Sequence, residues 1–347
     1  MQAVLGKVIG PKEVHPENLQ GRVAVVTGGA LGIGYEVSRA FALAGAKVIM
    51  INRKEDQGTS AIELIKKEDP NADIDWKPCD LGSLKDVRET FSSLRDSLDR
   101  LDFLICSAGI NTNQYGEDAD GIDRHFGVNF LGHFYVINQL YPLLRKTSKR
   151  DETPHPRIVF EASEMHRGAP SNVHFASLDE INDSSMDPTR LYGRTKLAMI
   201  LCAKFGLYER VIKPNDDKVY ALAVHPGVVN TAMQQQWKDA YPGITGMLLS
   251  NTMMFAGRSV EQGSYSALWA ATSMEIEEKG WNGWYFNDPV RLKGFDPSNN
   301  PIGLGQPGKE SAQASDPALG AALWNLGTRL IKDKLGDDAM LDWNQEV

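Results

Sequence analysis

Between residues 22 and 287 the chain alternates short apolar runs with longer segments whose apolar residues recur every three or four positions. The runs "RVAVVT" (22–27), "KVIMIN" (47–52), "DIDWKPCD" (73–80), "LDFLICSAG" (101–109), "RIVFEAS" (157–163), "VYALAVHPG" (219–227) and "GWYFN" (283–287) read as strands. In "GYEVSRAFALAGA" (34–46), Val37, Ala40, Phe41 and Ala44 share one helical face. Further helices are predicted over 55–67, 83–98, 119–146, 190–210 and 259–272. Strands that are apolar on both sides, each followed by a helix, predict a parallel sheet covered on both faces. Right-handed crossovers make it doubly wound, an α/β Rossmann-type fold in a single domain over 21–287. Residues 1–20 form an N-terminal arm and 288–347 a C-terminal extension. Residues 164–189 read as a polar loop, and 288–316, rich in Pro, Gly, Asn and Ser, as surface chain. A last helix is predicted over 318–335, with Leu319, Leu323, Leu326, Leu330 and Ile331 in one stripe that docks on the body or on another subunit.

Composition narrows the function. With 347 residues, 42% apolar and 24% charged, the chain has the make-up of a globular protein. A net charge of −8 argues against nucleic acid, whose phosphates require clustered Lys and Arg. Cys79, Cys106 and Cys202 are too few and too scattered for a disulfide framework or a zinc site, and the histidines show no metal spacing. No run approaches the roughly 18 apolar residues of a membrane span, and neither end carries a recognisable targeting signal. The expected location is the cytoplasm.

The candidate chemistry lies at the carboxyl ends of the strands. "TGGALGIG" (27–34) joins the first strand to the first helix, where a dinucleotide pyrophosphate binds in doubly wound folds. Its spacing, Gly28–x3–Gly32–x–Gly34, differs from GxGxxG, and a structural turn would look similar. After the second strand stands Arg53, with Lys54 beside it; a basic residue there suits the 2′-phosphate of NADP, an acidic one the ribose of NAD. Asp80 either accepts from the adenine amino group or caps the next helix. In "YGRTK", Tyr192 and Lys196 share a helical face. An ammonium beside a phenol favours the phenolate, bringing an acid–base group toward neutral pH.

The glycine motif, Asp80, "CSAG" (106–109), "VNFLGH" with Asn129, Ser163, "YGRTK" and "HPG" (225–227), in this order from about residue 20 to 287, resemble the short-chain dehydrogenases/reductases. The flavour is that of the retinol-dehydrogenase and fungal carbonyl-reductase branch. The resemblance implies an NADP(H)-dependent oxidoreductase, with NADP(H) preferred over NAD(H), that interconverts a carbonyl and an alcohol on a small molecule. In that role Tyr192 is the general acid or base and Lys196 lowers its pKa and holds the nicotinamide ribose. Ser163 binds the substrate oxygen, and Asn129 holds a water linking Lys196 to solvent. The implied cofactor contacts are Gly28, Ala30, Leu31, Gly32, Ile33 and Gly34; Arg53, Lys54, Asp80 and Leu81; Ser107, Ala108 and Gly109; Asn129, Tyr192 and Lys196; and Pro226, Gly227, Val229 and Thr231. A substrate lid is expected over about 229–257, where Met233 and Trp237 are pocket candidates. The family often dimerises through the two long helices, a surface that the C-terminal helix can cover.

Two residues stand out against that pattern. Glu161 lies in an apolar strand two residues before Ser163; it either pairs with a nearby Arg, His or backbone N–H, or touches the substrate pocket. His166 is a further pocket candidate. Two other functions remain to be weighed: a regulatory protein that binds NADP(H) without turnover, and a non-redox epimerase or cyclase.

Overall fold

In the computed structural model, residues 9–11, 13–112, 114–227, 229, 258–286, 290–292 and 308–345 are described. Seven strands form one all-parallel sheet: β2 (Val23–Thr27), β3 (Lys47–Asn52), β4 (Ile74–Pro78), β5 (Phe103–Cys106), β6 (Arg157–Glu161), β7 (Tyr220–Val224) and β8 (Tyr285–Phe286), in the order β4-β3-β2-β5-β6-β7-β8. The chain starts at the centre and reverses direction between β2 and β5. This is the switch point at which doubly wound sheets open a crevice. Thr27 pairs with Ile51 on one side and Cys106 on the other, so the glycine loop leaves the sheet at this crevice.

The two sheet faces bury different cores. Val26, Ile105, Val159 and Val224 point toward α1 (Gly32–Leu43), α2 (Glu55–Glu68) and α6 (Val260–Thr272). Val25, Leu104, Cys106, Ile158, Phe160 and Ala223 point toward α3 (Leu84–Ser97), α4 (Gly132–Ser148) and α5 (Pro188–Leu201). Alternate residues of one strand thus enter different cores, which is why the strands read as unbroken apolar runs. The segment 164–189 contains a short 3₁₀ turn, Glu164–Gly168, and a helical turn, Leu178–Ile181, each capped by the serine before it, Ser163 and Ser177.

The extension wraps back over the body. α7 (Pro317–Leu335) buries Leu319, Leu323, Leu326, Leu330 and Ile331. Trp324 and Trp343 meet at a tilt with ring centres 4.8 Å apart, and both meet Phe134 of α4, at 5.0 and 5.9 Å. Tyr135 donates to Ala339 O at 2.9 Å, and Asn138 exchanges two hydrogen bonds with Leu341. As a result Lys146 is the only exposed residue of α4. A dimer through α4 and α5 would have to displace this cover. A small antiparallel pair, β1 (Ile9–Pro11) with β9 (Val290–Leu292), joins the arm to the extension, a pairing that no pattern in the sequence announced. Among the described residues no helix is long and apolar enough to cross a membrane.

Candidate active site

At the switch point the glycine loop is shaped by close backbone approach. Gly28 has φ +66°, and a Cβ there would lie 2.8 Å from Ala108 Cα; a Cβ on Gly34 would lie 2.4 Å from Gly28 O. Only glycine allows the turn to fold onto itself and onto 107–108. The helix that follows, α1, has Leu31 at its N-cap position, with no side-chain cap and no acidic residue in its first turn. By contrast α3, α5, α6 and α7 are capped by Ser83, Asp187, Ser259 and Asp316. The free N–H groups of α1 and its positive dipole end fit an anionic pyrophosphate. Arg53 and Lys54 leave the next strand end exposed, and Arg53 makes a loose 3.4 Å ion pair with Asp80, whose other oxygen accepts from Gly82 N–H. These groups suit the phosphate and adenosine end of a dinucleotide and lie across the sheet edge from Tyr192. Leu81 is buried, whereas Ser107, Ala108, Gly109, Pro226 and Gly227 are part-exposed at the same edge; Val229 is buried against α6. Thr231, Met233, Trp237 and nearly all of 229–257 lie outside the described residues.

The other half of the site forms where α5 meets β6. α5 is buried from Leu191 to Leu201. Its Gly193 lets the turn after Ser163 press onto the helix: a Cβ there would lie 2.7 Å from Met165 O. That contact packs the turn that follows Ser163 against the helix that carries Tyr192. Lys196 Nζ donates to the carbonyl of Glu161 at 2.5 Å and lies 5.3 Å from the Tyr192 ring centre. Arg194, between them in sequence, is buried and pairs with Asp123 at 3.2 Å while donating to the carbonyls of Glu180 and Ile181, which ties α5 to the loop beneath it. Ser163 Oγ accepts from Met165 N–H, leaving its own O–H proton free to donate.

Asn129 sits in a π-helical turn, Gly127–Leu131, just ahead of α4. Such turns insert one extra residue into a helix and are frequent at functional sites. Its amide grips Ile110 at both ends, accepting from N–H at 2.7 Å and donating to O at 2.9 Å, and donates to Thr195 Oγ1 at 3.2 Å. Asn129 therefore anchors the loop after β5 to α5. Its backbone carbonyl accepts from His133 Nδ1 at 2.8 Å.

His133 joins the two halves. A carbonyl can only accept, so Nδ1 carries the proton and Nε2 accepts from Thr27 Oγ1 at 2.8 Å. Thr27 Oγ1 in turn accepts from the N–H groups of Ser107 and Ala108, at 3.0 and 3.2 Å. Burial pushes the imidazole down to about 4, so it is neutral at pH 7. The sequence marked His133 only as lacking metal spacing; its true signal was its position four residues after Asn129.

Burial governs the electrostatics of the catalytic half. Tyr192 is pushed up by burial first and by Glu161 second, so it is a phenol ready to give a proton. The expected lowering by Lys196 is not seen; burial and the Glu161 charge set the direction of the shift. Lys196 itself is pulled down by burial against the opposing pull of Glu161. Glu161 is pushed up by burial against the opposing pull of Lys196, and among the described residues neither of its buried oxygens has a hydrogen-bond partner. Among those residues it does not make the pairing with an Arg, His or backbone N–H that was one of its two expected roles.

His166 is held at both ring nitrogens. It is buried; Nδ1 donates to Ser163 O at 2.8 Å and Nε2 accepts from Ser311 N–H at 3.2 Å, so both nitrogens are used to fasten the extension to the turn after Ser163. Cys106 is fully buried, its thiol pushed far up by desolvation, and serves as core filling. No group of His, Cys, Asp or Glu among the described residues is arranged to hold a metal.

A doubly wound parallel sheet with a glycine cradle at its switch point defines the class: a Rossmann-type α/β protein. The chain belongs to the short-chain dehydrogenase/reductase family of oxidoreductases. Residues 22–168 match the short chain dehydrogenase family model. A short-chain dehydrogenase/reductase of Colletotrichum higginsianum is 30% identical over 329 residues, covering 91% of this chain and 76% of that protein. A polyprenol dehydrogenase of Danio rerio is 29% identical over 312 residues, 90% and 87% of the two chains. A crystal structure of a Mycobacterium paratuberculosis protein superposes with a TM-score of 0.65 at 25% identity, covering 91% and 95%. A short-chain dehydrogenase of Escherichia coli complexed with NADPH gives 0.57 at 20% identity, covering 78% and 98%, a likeness of fold.

Proposed function

We propose that this protein is an NADP(H)-dependent oxidoreductase that interconverts a carbonyl and an alcohol on an apolar small molecule. The observation that carries the reading is a single sheet edge with an uncapped glycine cradle at β2 and the cluster Ser163, Tyr192 and Lys196 at β6. The neighbour bound to NADPH and the relative named a polyprenol dehydrogenase support it. Arg53 favours the phosphorylated cofactor because a planar guanidinium pairs with phosphate in two-pronged fashion.

When bound, a nicotinamide cofactor would supply or take the hydride, while the protein positions it and handles the proton. In reduction, Tyr192 gives its phenol proton to the carbonyl oxygen while Ser163 donates a hydrogen bond to the same atom. Lys196 keeps ammonium protons beyond the one given to Glu161 O, and with these it would hold a ribose hydroxyl of the cofactor. Asn129 and His133 keep the loop after β5, the glycine turn and α5 in one rigid frame, so the donors are preorganised.

Calorimetric titration of NADPH and NADH tests the reading without knowledge of the substrate. NADPH binds at least about tenfold more tightly than NADH, and Arg53→Ala removes that preference. Equal affinities would refute the NADP(H) preference. Turnover without net cofactor consumption would point instead to an epimerase or cyclase.

A further inference from the structure

The steps above leave the carboxyl group of Glu161 without a use, and the described residues leave it without a hydrogen-bond partner: both oxygens are buried and accept from none of them. Buried polar groups are nearly always satisfied, so an exception at a site edge calls for an explanation. Glu161 pairs in register with Val224, and Val159 and Val224 both face the core under α1 and α6. Its side chain therefore lies on the glycine-loop side of the sheet. Its own carbonyl, meanwhile, receives Lys196 Nζ from the α5 side. A dinucleotide that starts at the glycine cradle and ends beside Ser163 and Tyr192 must cross this corner. The part that arrives there is the nicotinamide, whose ring is neutral when reduced and positively charged when oxidised.

We propose that the carboxylate of Glu161 faces the oxidised nicotinamide ring and makes the site bind oxidised cofactor in preference to reduced. The proposal rests on the function proposed above. The surrounding ionisable groups leave this task to Glu161. Tyr192 is held as a phenol, and His166 and His225 are kept neutral by burial. Glu164 is taken up by Arg167 and by the hydroxyl of Tyr285. Lys196 on α5 and Arg258 ahead of α6 are the cations; Lys196 gives one proton to the Glu161 carbonyl, and its charge offsets only part of the upward push that burial puts on the carboxyl. In the cofactor-free protein, burial keeps the Glu161 carboxyl largely protonated. A positive ring placed over it favours the carboxylate, so the proton leaves to solvent as the oxidised form binds; the reduced ring offers no such gain.

The test titrates NADP+ and NADPH separately by calorimetry into the full chain and into Glu161→Gln, which keeps the shape and removes the charge. Glu161→Gln weakens NADP+ about tenfold, the equivalent of one pKa unit, and leaves NADPH within about twofold. In wild type, infrared difference spectra show a protonated-carboxyl band lost when NADP+ is added and kept when NADPH is added. That signature does not arise from Lys196 or Tyr192, and it decides the matter if the variant does not fold. An equal change for both cofactors, an unchanged ratio, or a carboxyl band indifferent to NADP+ overturns the proposal. Failure of the folded wild type to bind either cofactor overturns the proposed function, and this inference with it.

Discussion

The two ends of the candidate crevice are built by different means. The end at β2 is made of backbone: glycines that leave no room for a Cβ, a helix start without a cap, and a threonine hydroxyl that collects two N–H groups. The end at β6 is made of side chains that burial has moved from their usual ionisation: a phenol pushed up, an ammonium pulled down and a carboxyl pushed up with no hydrogen-bond partner among the described residues. Backbone can cradle a ligand without changing state, which suits a phosphate that is bound and never transformed. Titratable side chains can change state, which suits a site where a proton has to move. The cost of that capacity is visible in Glu161, since a buried polar group without a partner costs about 1–3 kcal/mol.

The largest expected effect comes from disabling the β6 end alone. Tyr192→Phe removes the proton donor and keeps the ring that packs under Lys196. Turnover in a carbonyl-reduction assay should fall by about 10²–10⁴-fold, the usual contribution of a positioned acid or base. NADPH affinity, measured in the same preparation, should stay within about twofold because the β2 end is untouched. Full turnover in Tyr192→Phe would remove this residue from the mechanism.

The next effect comes from cutting the joint between the ends. His133 has its folded pKa at about 4, below the ordinary histidine value of about 6.5. As pH falls, the unfolded chain takes up the proton first. The stabilisation from neutral His133 is therefore complete above about pH 6.5 and is lost as pH falls toward 4. A shift of that size corresponds to about 3 kcal/mol. His225, also held near 4 by burial, adds the same sign over the same window. Urea unfolding of His133→Gln between pH 4 and 7 should show a deficit at pH 7 that shrinks toward pH 4. A deficit independent of pH would mean that His133 is not buried as the neutral form.

Legibility in the sequence follows the same division. The strand and helix rhythm could be read because each strand enters two cores and each helix one. The glycine loop could be read because its reason is local, a tight turn ahead of a helix. Ser163, Tyr192 and Lys196 could be placed by order and spacing. What could not be read is set by contacts between distant segments. Gly193 looks like a costly residue inside a helix until the turn after Ser163 is seen pressing on it. His166 resembled a pocket residue because it follows Ser163, yet its second nitrogen is taken by Ser311, 145 residues away. The cover over α4 depends on Trp343 and Leu341 reaching back about 200 residues, and no local pattern encodes that.

The smallest effect separates the two ends by a single methyl group. At the β2 end, Gly34→Ala sets a Cβ 2.4 Å from a backbone oxygen, and backbone cannot swing aside as the tip of a side chain can. Overpacking of this kind costs about 1–3 kcal/mol, and the shift it forces on the loop should weaken NADPH as well. At the β6 end, Gly168→Ala follows the catalytic serine by five residues, and its Cβ meets nothing within 4 Å. Its effect on unfolding should be neutral or stabilising by a few tenths to about 1 kcal/mol, through the lost freedom of the unfolded chain. Urea midpoints for the pair, with NADPH titrations of each, measure the contrast. Equal losses in both variants would show that the glycine turn yields as readily as the exposed one. The β2 end would then be an adaptable loop, and its affinity for a dinucleotide would have to come from Arg53 and its neighbours.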